Sequence, residues 1–140
     1  MLILDTDHLV EFQRGTSPEA KVLKQRMNET DGPFATTILT VEEMMRGWLA
    51  AIRRTSDPFR QINAYSKLRQ LFRFFGTWDV LDWTAASAAE FAALKVAKRR
   101  VGTMDLKIAS VALANNATLL SRNLQDYQKV PGLRVVDWLS

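Results

Sequence analysis

The chain has 140 residues, with 19 Lys and Arg against 15 Asp and Glu, a net charge of +4, and 47% hydrophobic residues. That composition suits one globular domain, 1–140, with a real core, and excludes a disordered chain. With no cysteine and only His8, disulfides, thiolate nucleophiles, zinc–cysteine sites and three-histidine metal cages are excluded. No apolar run approaches the roughly 20 residues of a spanning helix. Met1-Leu2-Ile3-Leu4-Asp5 also lacks the basic start and cleavage site of a secretory signal, so the expectation is a soluble cytoplasmic protein.

Leu2-Ile3-Leu4 reads as a short buried strand that stops at Asp5, followed by a short helix carrying Leu9, Val10 and Phe12. Ser17 is placed to cap a helix from Pro18 to about Asn28, broken by Asp31-Gly32-Pro33. Phe34-Ala35 predicts a second strand. The clearest helical pattern covers Ile38 to Arg53, where Ile38, Val41, Met45, Trp48 and Ile52 share one face. Pro58 predicts the start of a helix to Phe75 with Phe59, Ile62, Tyr65, Leu68, Phe72 and Phe75 as its apolar stripe. The short break between these two helices predicts an antiparallel hairpin. Trp78 to Leu81 predicts a strand, and Thr84 caps an alanine-rich helix to about Arg100. Thr103 is the expected cap of a helix from Met104 to Asn115. Thr118-Leu119-Leu120 and Arg134-Val135-Val136 read as the last strands. Alternating strands and helices predict an α/β fold with a mostly parallel sheet flanked by helices and a protruding helical hairpin.

Two basic stretches, Arg53, Arg54, Arg60, Lys67, Arg69, Arg73 and Lys95, Lys98, Arg99, Arg100, read first as solvated helix faces and second as holders of a phosphate backbone. Ligands of a parallel α/β sheet bind at the carboxyl ends of its strands. Asp5 follows the first strand, the 123–126 segment follows Thr118–Leu120, and Asp105 opens a helix that starts at the same edge. Each has an ordinary reading, as a turn residue or as a charge favouring a helix N-terminus. Glu42 has Arg46 four residues on as an ion-pair partner, whereas Glu43 has Gly47 and Ala50. Asp105 likewise has Ala109 and Ala112 along its face, and small neighbours leave room for a cluster. Asp5, Glu43, Asp105 and Asp126 gathered together repel one another unless cations or protons neutralise them. Oxygen donors without His or Cys suit Mg²⁺ or Mn²⁺, and the matching reaction is metal-assisted phosphodiester hydrolysis.

Thr37-Ile38-Leu39-Thr40-Val41-Glu42-Glu43-Met44-Met45-Arg46-Gly47 resembles the Ser/Thr-x-x-Thr-x-x-Glu-Leu-x-x-Gly motif of PIN-domain ribonucleases. Met104-Asp105-Leu106-Lys107-Ile108-Ala109 is similar to their Asp-x-x-Ile-Ala helix. Leu120-Ser121-Arg122-Asn123-Leu124-Gln125-Asp126-Tyr127 and Val130-Pro131-Gly132-Leu133 resemble their closing signature, and Leu4-Asp5-Thr6 fits their opening. The resemblance runs the length of the chain and is nearest to VapC-type toxins. It implies an acidic metal site at Asp5, Glu43 and Asp105, completed by Asn123 or Asp126, with Thr6 and Ser121 orienting ligands or water. Asp7 stands where the family commonly has Asn, and adds charge to the site. The resemblance further implies a homodimer, an antitoxin partner that fills the acidic groove, and cleavage of structured RNA.

Three other readings compete. Asp5-Thr6-Asp7 matches the opening of haloacid-dehalogenase-type phosphatases, although no Gly-Asp-rich metal loop follows. A catalytically weak PIN-like RNA-binding or regulatory domain is the second, opposed by four acids that repel phosphate without a metal. Trp48 and the Phe59–Phe75 helix suggest an interaction protein as the third. His8 reads as a structural or groove-lining residue, and Trp78, Trp83 and Trp138 as packing.

Overall fold

A computed structural model of the chain describes residues 1–97 and 100–140; Lys98 and Arg99 of the second basic stretch lie outside the described residues. The elements in order are β1 (Leu2–Leu4), α1 (Thr6–Arg14), α2 (Pro18–Glu29), β2 (Phe34–Thr37), α3 (Ile38–Arg53) and α4 (Ile62–Phe75). They continue with β3 (Val80–Leu81), α5 (Ala85–Val96), α6 (Thr103–Ala114), β4 (Thr118–Leu120), α7 (Leu124–Tyr127) and β5 (Arg134–Val136). The strands form one sheet in the order β3-β2-β1-β4-β5, and every pairing is parallel. The sequence leads one to expect a mostly parallel sheet; among the described strands no antiparallel edge is present.

Period-two alternation in strands this short assigns each residue to a face. Ile3 and Leu119 join Ala109, Ala112 and Tyr127 in one core cluster, while Leu4 and Leu120 join Leu9, Leu23, Leu71 and Phe75 in the other. Both faces of the sheet are therefore covered, and β1 and β4 carry no polar residue except Thr118. Fully burying each such Leu or Ile contributes about 1.5–3 kcal/mol. Because all strands are parallel, their carboxyl ends meet along one edge. That edge is where β1 turns into α1, β2 into α3 and β4 into α7.

Caps set the helix starts. Ser17 accepts from the Ala20 N–H, Thr37 from Thr40 and Thr84 from Ser87. Gly15 ends α1 in the left-handed region at φ 75°, which glycine adopts without a steric penalty. Thr103 is not a cap: Gly102 holds the extended cap position and Thr103 is the first residue of α6, with no side-chain cap bond. Trp78 lies in the turn before β3 rather than in the strand, and α5 stops at Val96.

The hairpin of α3 and α4 is antiparallel: Met44 and Trp48 share a cavity with Lys67 and Leu71, and the Gln61 amide donates to the Ile52 carbonyl. Helix α4 begins later than Pro58, because Asp57 accepts from the Phe59 N–H and makes a turn there. The apolar stripe of this helix is only partly the expected one, with Phe75 buried and Leu68 half-buried but the rest outside. Ala64, Leu71 and Phe75 are buried, whereas Phe59, Ile62, Tyr65 and Phe72 are 81, 62, 55 and 65% exposed. On α3, Leu39 and Thr40 are the buried residues and Ile38, at the open first turn, faces solvent. No described helix is long and apolar enough to cross a membrane.

Candidate functional site

A cavity of about 460 Å³ opens at the carboxyl edge of the sheet, lined by Asp5, Thr6, Asp7, Val10, Glu11, Glu43, Asp105, Arg122 and Asn123. Three structural facts deliver its acids. Asp5 is the N-cap of α1, placed where β1 ends. Glu43 lies on α3, and Asp105 lies in the first turn of α6. Gly47, one turn beyond Glu43, has open space where a Cβ would stand, as the small-residue strip suggests. The corresponding strip of α6 differs: Ala109 and Ala112 are wholly buried in the core rather than beside the cavity.

Asp5 is 7% exposed. Its Oδ1 accepts from the Thr6 N–H at 2.9 Å and its Oδ2 from the Ser121 hydroxyl at 2.7 Å. Burial, then the charge of Asp7, push its carboxyl up to about 7 against the lowering effect of those two bonds. Glu43 is raised by burial and by Asp105, although its Oε1 accepts from the Thr6 hydroxyl at 3.1 Å. The same hydroxyl lies 3.2 Å from Thr40 Oγ1. Asp105 is raised by burial and by Asp126. Its Oδ1 accepts from the Tyr127 hydroxyl at 3.2 Å and its Oδ2 from the Asn123 amide at 3.1 Å.

Asp7 behaves differently. Burial raises it, but donors from His8 and the Arg122 backbone outweigh burial and hold it below the ordinary carboxylate range. Its Oδ1 meets His8 Nδ1 at 2.7 Å, and its Oδ2 accepts from the Arg122 N–H at 2.9 Å. With both oxygens tied to protein donors, Asp7 is poorly suited to the acid–base role that a phosphatase reading gives it. Asp126 does not line the cavity; it reaches the group through the Asn123 amide at 3.2 Å and pairs with Lys129 at 3.4 Å.

Sequence reasoning did not single out Tyr127 or Arg122 as partners of the site, nor Glu11 in its wall, whose carboxylate is taken by Ser17 and Arg14. Tyr127 is fully buried, and burial raises its pKa so that the hydroxyl stays a donor to Asp105. Arg122 is exposed and places a cation on the cavity wall. Only an aromatic in the closing motif and a basic residue beside Ser121 mark them in the sequence. His8 is wholly buried and lines no part of the cavity. Glu42 pairs with Arg46 at the surface, as expected.

The donor set is all oxygen, and three of its acids carry charge that burial and mutual repulsion penalise, which is the chemistry a hard divalent cation relieves. Asp5, Glu43 and Asp105 fit such an ion by type and by sharing one cavity. In their present rotamers, no three Asp, Glu or His side chains among the described residues converge on one point. Their oxygens rest on the hydrogen bonds given above.

Ribonuclease VapC2 of Rickettsia felis is 29% identical over 69 residues, covering 46% of this chain and about half, 52%, of that protein. The tRNA(fMet)-specific endonuclease VapC of Shigella flexneri is 26% identical over 120 residues, covering 83% of each. The solved structure of VapBC-1 from nontypeable Haemophilus influenzae superposes with a TM-score of 0.76 at 20% identity, covering 99% of this chain and 98% of that one, and shows a shared fold. The PIN domain family matches residues 2–133, from the first strand through the turn before the last, and the chain belongs to that family.

Proposed function

We propose that this chain is a cytoplasmic, metal-dependent endoribonuclease, the toxin of a type II toxin–antitoxin pair. The observation that carries the reading is the convergence of Asp5, Glu43 and Asp105, from three segments of a PIN-family chain, on one cavity. Asp5, Glu43 and Asp105 would hold Mg²⁺ or Mn²⁺, with Asn123 or Asp126 completing the set. A bound ion supplies a more acidic water and a counter-charge for the leaving oxygen.

The chain's own residues then fix the geometry. Thr6 N–H and Ser121 orient the two oxygens of Asp5, the Thr6 hydroxyl orients Glu43, and Tyr127 with Asn123 orients Asp105. Such preorganisation removes reorganisation from the barrier. Hydrolysis adds water across one P–O bond, and Arg122 on the cavity wall offers a cation to the phosphate being cut. Arg53, Arg54, Arg60, Lys67, Arg69 and Arg73 are all exposed and offer a phosphate-holding surface away from the acids. The named VapC relatives support an RNA substrate, and the VapBC-1 structure supports an antitoxin partner. The exposed apolar residues of α4 support a homodimer.

The test is incubation of total RNA with purified, antitoxin-free protein in Mg²⁺, in Mn²⁺ and in EDTA, with Asp5→Asn alongside. Discrete fragments that EDTA and Asp5→Asn both abolish are the expected result. Cleavage that survives Asp5→Asn removes the proposed site, and no cleavage by folded protein removes the nuclease reading.

A further inference from the structure

A polar chain runs from the cavity wall through half-buried Asp7 to buried His8 and on to the backbone of Trp138. His8 is wholly buried. Its Nε2 accepts from the backbone N–H of Trp138 at 3.0 Å, so Nε2 carries no proton and the ring proton sits on Nδ1. That Nδ1–H donates to Asp7 Oδ1 at 2.7 Å. Asp7 Oδ2 in turn accepts from the Arg122 N–H at 2.9 Å, in the loop between β4 and α7. This loop carries both the Ser121 hydroxyl that donates to Asp5 and the Asn123 amide that donates to Asp105.

The hydroxyl of Ser121 shows why this matters. It lies 2.7 Å from Asp5 Oδ2 and 3.3 Å from Asp7 Oδ2, and it has one proton to give. It also accepts from the Asn123 N–H at 3.0 Å, which fixes its remaining orientation. While Arg122 and His8 satisfy Asp7, the Ser121 proton goes to Asp5. Loss of the His8 ring bond leaves Asp7 Oδ1 without its side-chain donor, and the half-buried carboxylate is then free to turn and compete for Ser121. The segment at Trp138 is held to the same ring, with Asp137 Oδ1 accepting from the Leu139 N–H at 2.8 Å to close the terminal turn.

We propose that Asp7 and His8 are positioning residues, a relay in which the His8 Nδ1–H, acting through Asp7, holds the Ser121–Asn123 loop against Asp5 and Asp105 while Trp138 only seats the ring. The inference rests on the nuclease reading for its kinetic consequence, but its geometry stands apart from that reading. The two arms of His8 separate by substitution. His8→Asn keeps a donor at the Nδ1 position and loses the acceptor for Trp138. His8→Gln keeps an acceptor at the Nε2 position and loses the donor to Asp7.

The experiment measures amide hydrogen exchange at Arg122 and Trp138, melting temperature, and RNA cleavage with kcat and KM resolved, in the wild type and both variants. The expected outcome for His8→Gln is faster exchange at Arg122, a protected Trp138, and a kcat lower by about tenfold or more with KM unchanged, since small misplacements of catalytic groups cost up to about a hundredfold. The expected outcome for His8→Asn is faster exchange at Trp138, a protected Arg122 and near wild-type kcat. Equal losses in both variants that follow melting temperature alone overturn the relay, as does a His8→Gln variant with protected Arg122 and unchanged kcat. If the wild type cuts no RNA, the nuclease reading falls, and the exchange pattern by itself still decides the relay.

Discussion

Replacing Asp5 by Asn is expected to stabilise the metal-free protein at pH 8 while destroying its proposed activity. The carboxyl sits at about 7 when folded against an ordinary 3.8. Between those values the unfolded chain has released the proton and the folded chain has not. Stability is therefore highest below pH 3.8 and is lost as pH rises through about 7. At about 1.4 kcal/mol per pH unit, the gap amounts to about 4 kcal/mol at pH 8. Asn escapes that cost and keeps an oxygen for the Thr6 N–H, and the bonds to the charged carboxylate are already contained in the value of about 7. The gain is therefore about 4 kcal/mol, or about 8–16 °C in melting temperature for a chain of this size. Thermal melts of both proteins in EDTA at pH 8 and pH 4 check it. The gap is expected to close at pH 4, where the folded carboxyl is neutral. Adding Mg²⁺ at pH 8 is expected to raise the wild type alone, by mass action on the folded state. An Asp5→Asn variant that melts at or below the wild type at pH 8 in EDTA refutes the burial argument.

Thr6→Val removes the one hydroxyl shared by Glu43 and Thr40, in a side chain of nearly equal shape. It is expected to cost about 1 kcal/mol in urea unfolding and about tenfold in cleavage rate. Tyr127→Phe deletes the donor to Asp105 and so raises that carboxyl further. Because a ligand must lose its proton to bind a cation, Mg²⁺ affinity by calorimetry is expected to fall more at pH 6 than at pH 8. Equal loss at the two pH values counts against the hydroxyl's role. Ile62→Glu combined with Phe72→Glu places charge on the exposed face of α4. Sedimentation is expected to show a monomer with an unchanged circular dichroism spectrum and a melting temperature that no longer depends on protein concentration, and a surviving dimer moves the interface elsewhere.

The fold was readable where one physical signal acted alone. Leu2–Leu4 and Leu119–Leu120 are apolar runs that stop at Asp5 and Ser121, the pattern of a strand buried on both faces. The span of α3 follows from its apolar face, Ile38 to Ile52, and its end from the break before Pro58; the Thr37 hydroxyl that caps it appears only in the structure. Helix α4 defeats the same reasoning because it is apolar on two sides. Its Ile62–Tyr65–Phe72 stripe is stronger than its Ala64–Leu71–Phe75 stripe, yet the weaker one enters the core. Periodicity measures how amphipathic a helix is, not which surface of the protein it meets. The stronger stripe being exposed is itself informative, since a monomer seldom leaves three large side chains along one helix, and Phe59 just before it, open to water.

The acids of the site were legible for a different reason: parallel topology sends every strand's carboxyl end to one edge, so position along the chain becomes position in space. Asp5 and Asp105 follow from that rule and Glu43 from its missing ion-pair partner, and all three share the cavity, whereas Asp126, which the rule also picks, does not line it. Their supporting donors do not. Tyr127 reaches Asp105 across 22 residues of sequence, and Trp138 reaches His8 across 130. Neither contact leaves a local pattern, because each depends on how α7 and the C-terminal turn pack against elements formed far earlier in the chain. Asp7 makes the distinction sharpest. By spacing it belongs with Asp5, and its charge invites a ligand's role. Its two oxygens are instead taken by His8 and the Arg122 backbone, which hold the carboxyl low while Asp5 beside it is driven up to about 7. Two aspartates two residues apart thus take opposite parts, and hydrogen-bond donors from distant segments assign them.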